Sequence, residues 1–329
     1  MLNSLPLVSI LVPVYNVEKY IVDCANSIFG QDYEKIEFIF VDDCTLDNSI
    51  KLLENVIKKY TNRKDYVKIV KHAYNKGLAA ARNTALLNSQ GEFILHIDSD
   101  DFLSSNTTIT ELVNIALLEK SDAVFFDMQY YPNTMTFNNY IFPLNAYDLT
   151  KLTILREAPM SLCGCLYKRS LFMKYNIRSI ESISLGEDYA IKPRLTYFMN
   201  KISHVSQPYY CYRQDNANSI TTNFKESHID DLGHCIQGFY DFFSDKREYA
   251  EIEPLIKVAT VKCRVERLTV WSCSQGSLSG FNKILATFPS YLPAIKYLTP
   301  TEKGIYILSL LGLKRTLRVI ANLKRKLNR

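Results

Sequence analysis

The segment His96-Ile97-Asp98-Ser99-Asp100-Asp101 places three carboxylates directly after the apolar run Phe93-Ile94-Leu95. A short, wholly apolar run reads as a buried strand, so the carboxylates arrive together at a strand's C-terminal end. Carboxylates this close in sequence repel one another. A hard divalent cation bound through oxygen, Mg²⁺ or Mn²⁺, relieves that repulsion most simply. An Asp-x-Asp after a strand therefore points to a metal that in turn holds a diphosphate. The plainer alternative is a solvated turn in which Asp101 caps a following helix. The order of strands and loops upstream decides between the two.

Working back from it, Leu7 to Val12 reads as a first strand, stopped by Pro13-Val14-Tyr15-Asn16, and Lys19 to Phe29 follows with helical spacing of Ile21, Cys24, Ala25 and Ile28. Ile36 to Val41 is a second apolar run, closed by Asp42-Asp43; an amphipathic helix follows, with Asp47 or Asn48 as its N-cap. Val67 to Val70 is a weaker third strand. Asn75-Lys76-Gly77 is a turn, and Leu78 to Leu87 an alanine-rich helix. The fourth strand, Glu92 to Ile97, leads to the aspartates. Strands alternating with helices of this length imply right-handed crossovers and a mostly parallel sheet, with the ligand beyond the strands' carboxyl ends. Tyr15 and Asn16, Asp42 and Asp43, and Asp98 to Asp101 would then converge on one crevice. Neither a Gly-x-Gly-x-x-Gly nor a P-loop is present, so carboxylates rather than a glycine cradle meet the phosphates.

Four segments, taken in order, resemble the motifs of family 2 glycosyltransferases of the GT-A fold, of the bacterial surface-polysaccharide type. They are Val12-Pro13-Val14-Tyr15-Asn16, Val41-Asp42-Asp43, Asn75-Lys76-Gly77 with Ala81-Arg82-Asn83, and Asp98-Ser99-Asp100-Asp101. Leu166 to Phe172, Gly186-Glu187-Asp188-Tyr189 and Tyr209 to Arg213 with Asn218-Ser219-Ile220 extend the likeness over residues 6 to about 222. The chain departs from the family pattern at Cys44-Thr45-Leu46-Asp47, usually Gly-Ser-Thr-Asp, and at Cys165, where lysine is common. The resemblance implies an α/β fold of GT-A class: a Rossmann-like, mostly parallel sheet flanked by helices, with a helical C-terminal extension. It implies a nucleotide-sugar half over 1–105, an acceptor half over 106–225 and a helical region with a basic tail over 226–329.

The resemblance also implies roles. Asp42 reads the base, Pro13 and Tyr15 flank it, and Arg82 lies near the diphosphate or uracil. Asn16, Asp43, Lys76, Ser99 and Arg213 belong with the donor-binding set. Asp100 holds Mn²⁺ or Mg²⁺, and Asp98 contacts ribose or the metal. His204, in the strand-like Ile202 to Val205, stands where some relatives place a metal ligand. Asp188 is the general base, with Glu187 as the alternative, since adjacent carboxylates are not separated by sequence; the plainer reading is two acids in the first turn of a helix. One base without a second nucleophile favours a single displacement with inversion. The expected activity is hexosyl or N-acetylhexosaminyl transfer from a nucleoside diphosphate sugar, UDP-linked, to a saccharide or lipid-linked saccharide: a growing polysaccharide (capsule included), a lipopolysaccharide or a glycolipid. A sugar nucleotidyltransferase, which would show a Gly-rich basic loop near the N-terminus, and a non-catalytic sugar-nucleotide-binding descendant are the alternatives.

The chain has 329 residues, 47% of them hydrophobic, enough for a sizeable core. No run approaches the roughly 18–20 apolar residues of a membrane span, and no basic residue precedes Leu7 to Val14, so cytoplasmic residence is the expectation. The eight cysteines show no Cys-x-x-Cys pair and read as reduced thiols. Net charge is +5, and Lys314 to Arg329 carries seven basic residues and no acid. With the apolar Tyr306 to Leu313 ahead of it, this tail reads either as an anchor to an anionic membrane surface, the inner face of the cytoplasmic membrane, or as a terminal helix packed on the domain. Nucleic acid is not an expected partner, since no aromatic platform accompanies the tail. His96 reads as a core histidine with one bond to backbone.

Overall fold

The computed structural model describes residues 5–133, 135–137, 145–158, 160–215, 225–273, 277–317 and 319. Two compact units emerge. The first is built from residues 1–150, 158–182 and 191–217, and the second from 151–157, 183–190 and 218–329.

In the first unit, β1 (Val8–Val14), β2 (Ile36–Asp42), β3 (Val67–Lys71) and β4 (Phe93–His96) form a parallel array in the order β3-β2-β1-β4. Between them run α1 (Ile21–Phe29), α2 (Ser49–Ile57) and α3 (Leu78–Leu87). β1, β2 and β4 are buried almost throughout, whereas β3, at the edge, leaves Lys68, Ile69 and Lys71 exposed. Val8, Ile10, Val12 and Val14 of β1 pack with Ile21, Ala25, Ile28 and Phe29 of α1 in the main core, where Phe29 meets Phe38 edge-on at 4.8 Å. The buried Ala79, Ala80, Ala81 and Ala85 give α3 a flat surface for close approach to a sheet.

Beyond β4 the sheet becomes mixed. β5 (Phe102–Leu103), α4 (Thr108–Glu119), β6 (Ala123–Tyr131), β7 (Thr136–Phe137), α5 (Ala146–Ile154), β8 (Cys165–Lys168), α6 (Arg169–Lys174), α7 (Glu187–Thr196) and β9 (Ile202–Arg213) follow. The sheet order is β3-β2-β1-β4-β8-β6-β9-β5, with β7 on β6. β8 is antiparallel to β4 and β6, β9 is parallel to β6, and β5 is antiparallel to β9. The five residues 97–101 thus carry the chain from the end of β4 to the far side of β9.

Pro13 does not end β1, contrary to expectation; it pairs in register with Val41. Ile97 N–H donates to the Leu11 carbonyl, so alternate residues of β1 face β4, and β4's last partner is His96 opposite Leu11. Pro13 lies two residues further on, on the side where the neighbouring strand has stopped. Its missing N–H costs no ladder bond. The stretch from 129 to 147 is likewise less irregular than its composition suggests: β6 continues to Tyr131 and pairs with β7, while residues 138–144 lie outside the described ones.

The second unit is helical where described, as the 3.6-residue period after Glu226 implies. It holds α8 (Ser227–Phe243), α9 (Tyr249–Cys273), α10 (Leu278–Thr287) and α11 (Pro300–Leu310). Leu155, Val258, Val261, Val265, Ala294, Leu298 and Tyr306 form one of its cores. Thr299 and Glu302 close a capping box at the start of α11, with Pro300 at its first turn. Tyr306 and Ser309 are buried, whereas Ile307, Leu310, Leu311 and Leu313 are exposed. Among the described residues no helix is long and apolar enough to cross a membrane. Residue 318 and residues 320–329, most of the basic tail, lie outside them.

Candidate functional site

The first two strand ends are tied together by their loops. Asn16, exposed and held at φ 53°, donates its N–H to Thr45 Oγ1 at 2.8 Å, and its Oδ1 accepts from Leu46 N–H at 3.3 Å. Asp47 Oδ1 takes Ser49 N–H at 3.0 Å and the Thr45 hydroxyl at 2.9 Å, while Asp47 Oδ2 takes Glu18 N–H at 2.9 Å. The Ser49 bond caps α2 in function, although Asn48 occupies the cap position and its side chain makes no capping bond. These donors hold the Asp47 carboxyl below its usual range, against the burial that raises it. The departure Cys44-Thr45-Leu46-Asp47 therefore keeps a turn by other bonds, with Cys44 at φ 60°. Asp42, buried, accepts from Thr45 N–H at 2.8 Å. Tyr15 stands exposed beside this knot.

Asp43 is differently employed. Its Oδ1 meets His72 Nδ1 at 2.7 Å and takes Lys76 N–H at 2.8 Å, and its Oδ2 takes Gly77 N–H at 2.8 Å. His72 Nε2 in turn faces the Thr84 hydroxyl at 2.9 Å. As a donor contact Asp43 is corrected: both oxygens are spent fastening the 75–77 loop, which opens α3 through Gly77 at φ 89°. The Lys76 side chain is exposed, its Nζ 5.8 Å from the centre of the Tyr74 ring. Arg82, one turn into α3 and 2% exposed, donates to Asp98 Oδ1 at 2.8 Å.

The aspartates occupy a tight turn in which Asp101 N–H donates to the Asp98 carbonyl at 3.0 Å. Asp98 and Asp100 are half-buried, while Ser99 and Asp101 are buried. The Tyr210 hydroxyl accepts from Asp98 N–H at 3.1 Å and donates to Asp101 Oδ2 at 2.8 Å; Arg213 N–H donates to Asp101 Oδ1 at 2.7 Å. Burial first, then the charges of Asp100 and Asp98, push the Asp101 carboxyl well above the usual range, opposed by those two hydrogen bonds. Asp101 does not cap a helix, because β5 follows it. Beneath the turn the Cys24 thiol lies 3.8 Å from the Asp98 carbonyl, and burial with the nearby aspartates raises its pKa.

Arg213 is also corrected. Nε donates to the Asp100 carbonyl at 2.8 Å and Nη2 to Asp23 at 3.0 Å, and the guanidinium packs 4.9–5.3 Å from the ring centres of Tyr131, Tyr20 and Phe102. It is 8% exposed and holds the turn from behind, so a donor contact does not describe it. Residues 216–224, including Asn218-Ser219-Ile220, lie outside the described ones. His204 is corrected as a metal ligand. Its Nε2 faces Asp127 Oδ1 at 2.8 Å, and it lies near the start of β9, whereas Tyr210 and Arg213, which meet the turn, lie near its end, roughly 20 Å further along an extended strand.

Glu187 and Asp188 open α7 in the second unit. Gly186 sits at φ 88°, a backbone conformation that L side chains rarely adopt, and a Cβ there would lie 3.2 Å from Leu232 Cδ2. Asp231 of α8 takes Leu185 N–H at 3.0 Å and the Ser184 hydroxyl at 2.7 Å, which sets the loop that delivers the pair. Glu187 is buried and Asp188 half-buried.

The donor set at the turn is all oxygen, which is the chemistry of Mg²⁺ or Mn²⁺. In that respect the residues fit such an ion, although among the described residues no group of three or more His, Cys, Asp or Glu could hold one. Tyr210, His72, Asp127 and the anchoring role of Asp101 were not foreseen from sequence.

A mostly parallel half-sheet whose strand ends carry this turn is an α/β architecture with its ligand crevice beyond the strands' carboxyl ends. The chain belongs to the family described as Glycosyl transferase family 2, which matches residues 9–175. An uncharacterized glycosyltransferase of Bacillus subtilis, EpsJ, is 30% identical over 224 residues, 66% of this chain and 63% of EpsJ. Poly(ribitol-phosphate) beta-N-acetylglucosaminyltransferase TarS of Staphylococcus aureus is 29% identical over 209 residues, 62% of this chain and 35% of TarS. The chain thus spans less than two thirds of either relative. The crystal structure of S. aureus TarS 1-349 in complex with UDP-GlcNAc superposes with a TM-score of 0.74 at 18% identity, over 97% of this chain and 92% of that one. The mannosyltransferase PcManGT from Pyrobaculum calidifontis, in complex with GDP-Man and Mn²⁺, reaches 0.58 at 17% identity, over 94% of this chain and 87% of that one. The fold is the GT-A fold with a helical C-terminal region.

Proposed function

We propose that this family 2 glycosyltransferase moves a sugar from a UDP-linked donor, with inversion, to a hydroxyl of a saccharide or lipid-linked saccharide acceptor in bacterial surface-polysaccharide assembly. The observation that carries the reading is the Asp98–Asp101 turn, held so that Asp98 and Asp100 stay half-exposed beside Arg82. TarS, which binds UDP-GlcNAc, supports the choice of donor. When bound, Mn²⁺ or Mg²⁺ supplies Lewis-acid neutralisation of the leaving diphosphate; Asp100 and Asp98 would hold it.

The chain's own residues do the rest. Asp42 and Tyr15, at the knotted ends of β2 and β1, receive the base. Arg82, its head on Asp98, adds positive charge where the diphosphate leaves. Asp188 takes the acceptor hydroxyl's proton as the new bond forms at the anomeric carbon and the bond to the diphosphate breaks. The exposed Ile307, Leu310, Leu311 and Leu313, ahead of Lys314 and Arg315, support docking of this region on an anionic membrane surface on the cytoplasmic side.

A panel of UDP-sugars, assayed for enzyme-dependent UDP release with Mn²⁺ and an oligosaccharide acceptor, tests the reading. One UDP-sugar should stand out by at least about tenfold. Release of pyrophosphate from a nucleoside triphosphate and a sugar phosphate, with no UDP release, would identify a nucleotidyltransferase instead.

A further inference from the structure

We propose that Tyr210 and Asp101 are positioning residues: together they form a buried strut that sets Asp98 and Asp100 toward the donor diphosphate, and Asp101 is not itself a ligand. The inference rests on the reading of Asp98 and Asp100 as donor-side ligands.

One phenol touches both ends of the turn. The Tyr210 hydroxyl accepts from Asp98 N–H at 3.1 Å and donates to Asp101 Oδ2 at 2.8 Å. Arg213, three residues along β9, places its N–H on Asp101 Oδ1 at 2.7 Å and its Nε on the Asp100 carbonyl at 2.8 Å. Both oxygens of Asp101 are therefore occupied, and the residue is 2% exposed. Tyr210 is 0% exposed and belongs to the main core, so its hydroxyl is a fixed point relative to the sheet. The division of labour among three adjacent carboxylates follows: Asp101 faces inward and anchors, while Asp98 and Asp100 remain half-exposed.

Tyr210→Phe would leave a buried carboxylate oxygen and a backbone N–H short of a partner at the two ends of one turn. The turn would relax, and a displacement of about 1 Å at a catalytic centre costs on the order of 10²-fold.

The test is calorimetric titration of UDP with and without Mn²⁺, alongside donor KM, kcat and melting temperature. Tyr210→Phe should weaken Mn²⁺-dependent UDP binding and raise donor KM by about tenfold or more, as expected when a positioning bond is lost. Tyr209→Phe is the neighbouring control and should leave both unchanged, because its hydroxyl meets Glu111 instead. Asp101→Ala should lose as much as Tyr210→Phe. Asp101→Asn should recover most of that loss, because an amide can still accept from Arg213 N–H and pair with the Tyr210 hydroxyl. Asp100→Asn should recover nothing relative to Asp100→Ala. Wild-type affinity in Tyr210→Phe overturns the strut, and so does an Asp101→Asn as damaging as Asp100→Asn, which would mean Asp101 acts through its charge. Should Tyr210→Phe not fold, the two Asp101 variants decide alone. If the wild-type protein shows no Mn²⁺-dependent UDP binding, the reading of Asp98 and Asp100 fails, and the strut with it.

Discussion

Asp42 and Asp43 are consecutive at the end of β2, yet they serve different loops: Asp42 accepts from Thr45 N–H at 2.8 Å, whereas Asp43 takes His72, Lys76 N–H and Gly77 N–H, each at 2.7–2.8 Å. The same substitution should therefore do different things. Asp43→Asn must turn an amide NH₂ toward a buried donor, since donors sit on both oxygens, and should destabilise by about 2–4 kcal/mol. Asp42→Asn keeps the Thr45 bond through its carbonyl oxygen and should change stability by less than about 1 kcal/mol while weakening UDP binding. Urea unfolding and UDP titration on both variants check this. Equal destabilisation would show that the two carboxylates share one structural task.

His96 gives an acid-lability prediction. Among the described residues neither of its buried ring nitrogens has a hydrogen-bond partner, the one backbone bond expected from sequence included, and burial, then the charges of Arg82 and Lys192, depress its pKa to about 3. The native ring stays neutral while the unfolded ring protonates near its ordinary value of about 6.5. Between those values the unfolded state binds more protons, so stability present above about pH 6.5 is lost as pH falls toward 3. His96→Leu should flatten that loss by up to roughly 1.4 kcal/mol per pH unit. Denaturant unfolding at pH 4.5 and pH 7 measures it; an unchanged slope sinks the assignment.

The central strands of the parallel half were legible because β1, β2 and β4 are buried almost throughout. Ile36 to Val41, interrupted only by Glu37, and Phe93 to Leu95 therefore read as apolar runs, and their polar ends mark where the sheet stops. The helix at Leu78–Leu87 was legible from its alanines. Other features leave no local trace. Pro13 sits inside β1 only because β4 has ended beside it, a fact of register rather than of sequence. Tyr210 looks like any core aromatic of a strand, and nothing in its spacing shows a hydroxyl reaching Asp98 and Asp101, more than a hundred residues away. The rings around Arg213 come from Tyr20, Phe102 and Tyr131, which are contiguous only in space. His204 stands where some relatives place a ligand, but its partner Asp127 stands across a strand pair with a register shift, which the sequence does not show.

The C-terminal region carries a separable prediction. α11 turns Tyr306 and Ser309 inward and leaves Ile307, Leu310 and Leu311 exposed. Deleting the residues after Lys314 removes six basic side chains. At up to about 1 kcal/mol each near an anionic surface, their loss should lower binding to phosphatidylglycerol vesicles by at least about tenfold and abolish its salt sensitivity. UDP binding should be unaffected. Vesicle co-sedimentation unchanged by the deletion would show that the tail does not dock on lipid.

Asp188→Asn separates catalysis from nucleotide binding. The substitution keeps size and hydrogen bonding but cannot take a proton at neutral pH, so transfer to acceptor should fall by roughly 10²–10⁴, the range for loss of a positioned base. UDP affinity should barely change, because the proposed reading puts the donor on Asp42, Arg82, Asp98 and Asp100. Burial distinguishes the two candidates: Glu187 is 8% exposed, whereas Asp188 is half-buried at the first turn of α7 and can meet an acceptor hydroxyl. Glu187→Gln should therefore cost less in kcat, and any loss should appear mainly as a lower melting temperature. Single-turnover transfer measured at saturating UDP-sugar isolates the step. If Glu187→Gln proves the more damaging while Asp188→Asn still transfers sugar, the base is Glu187; if neither matters, the proton leaves by a group outside this motif.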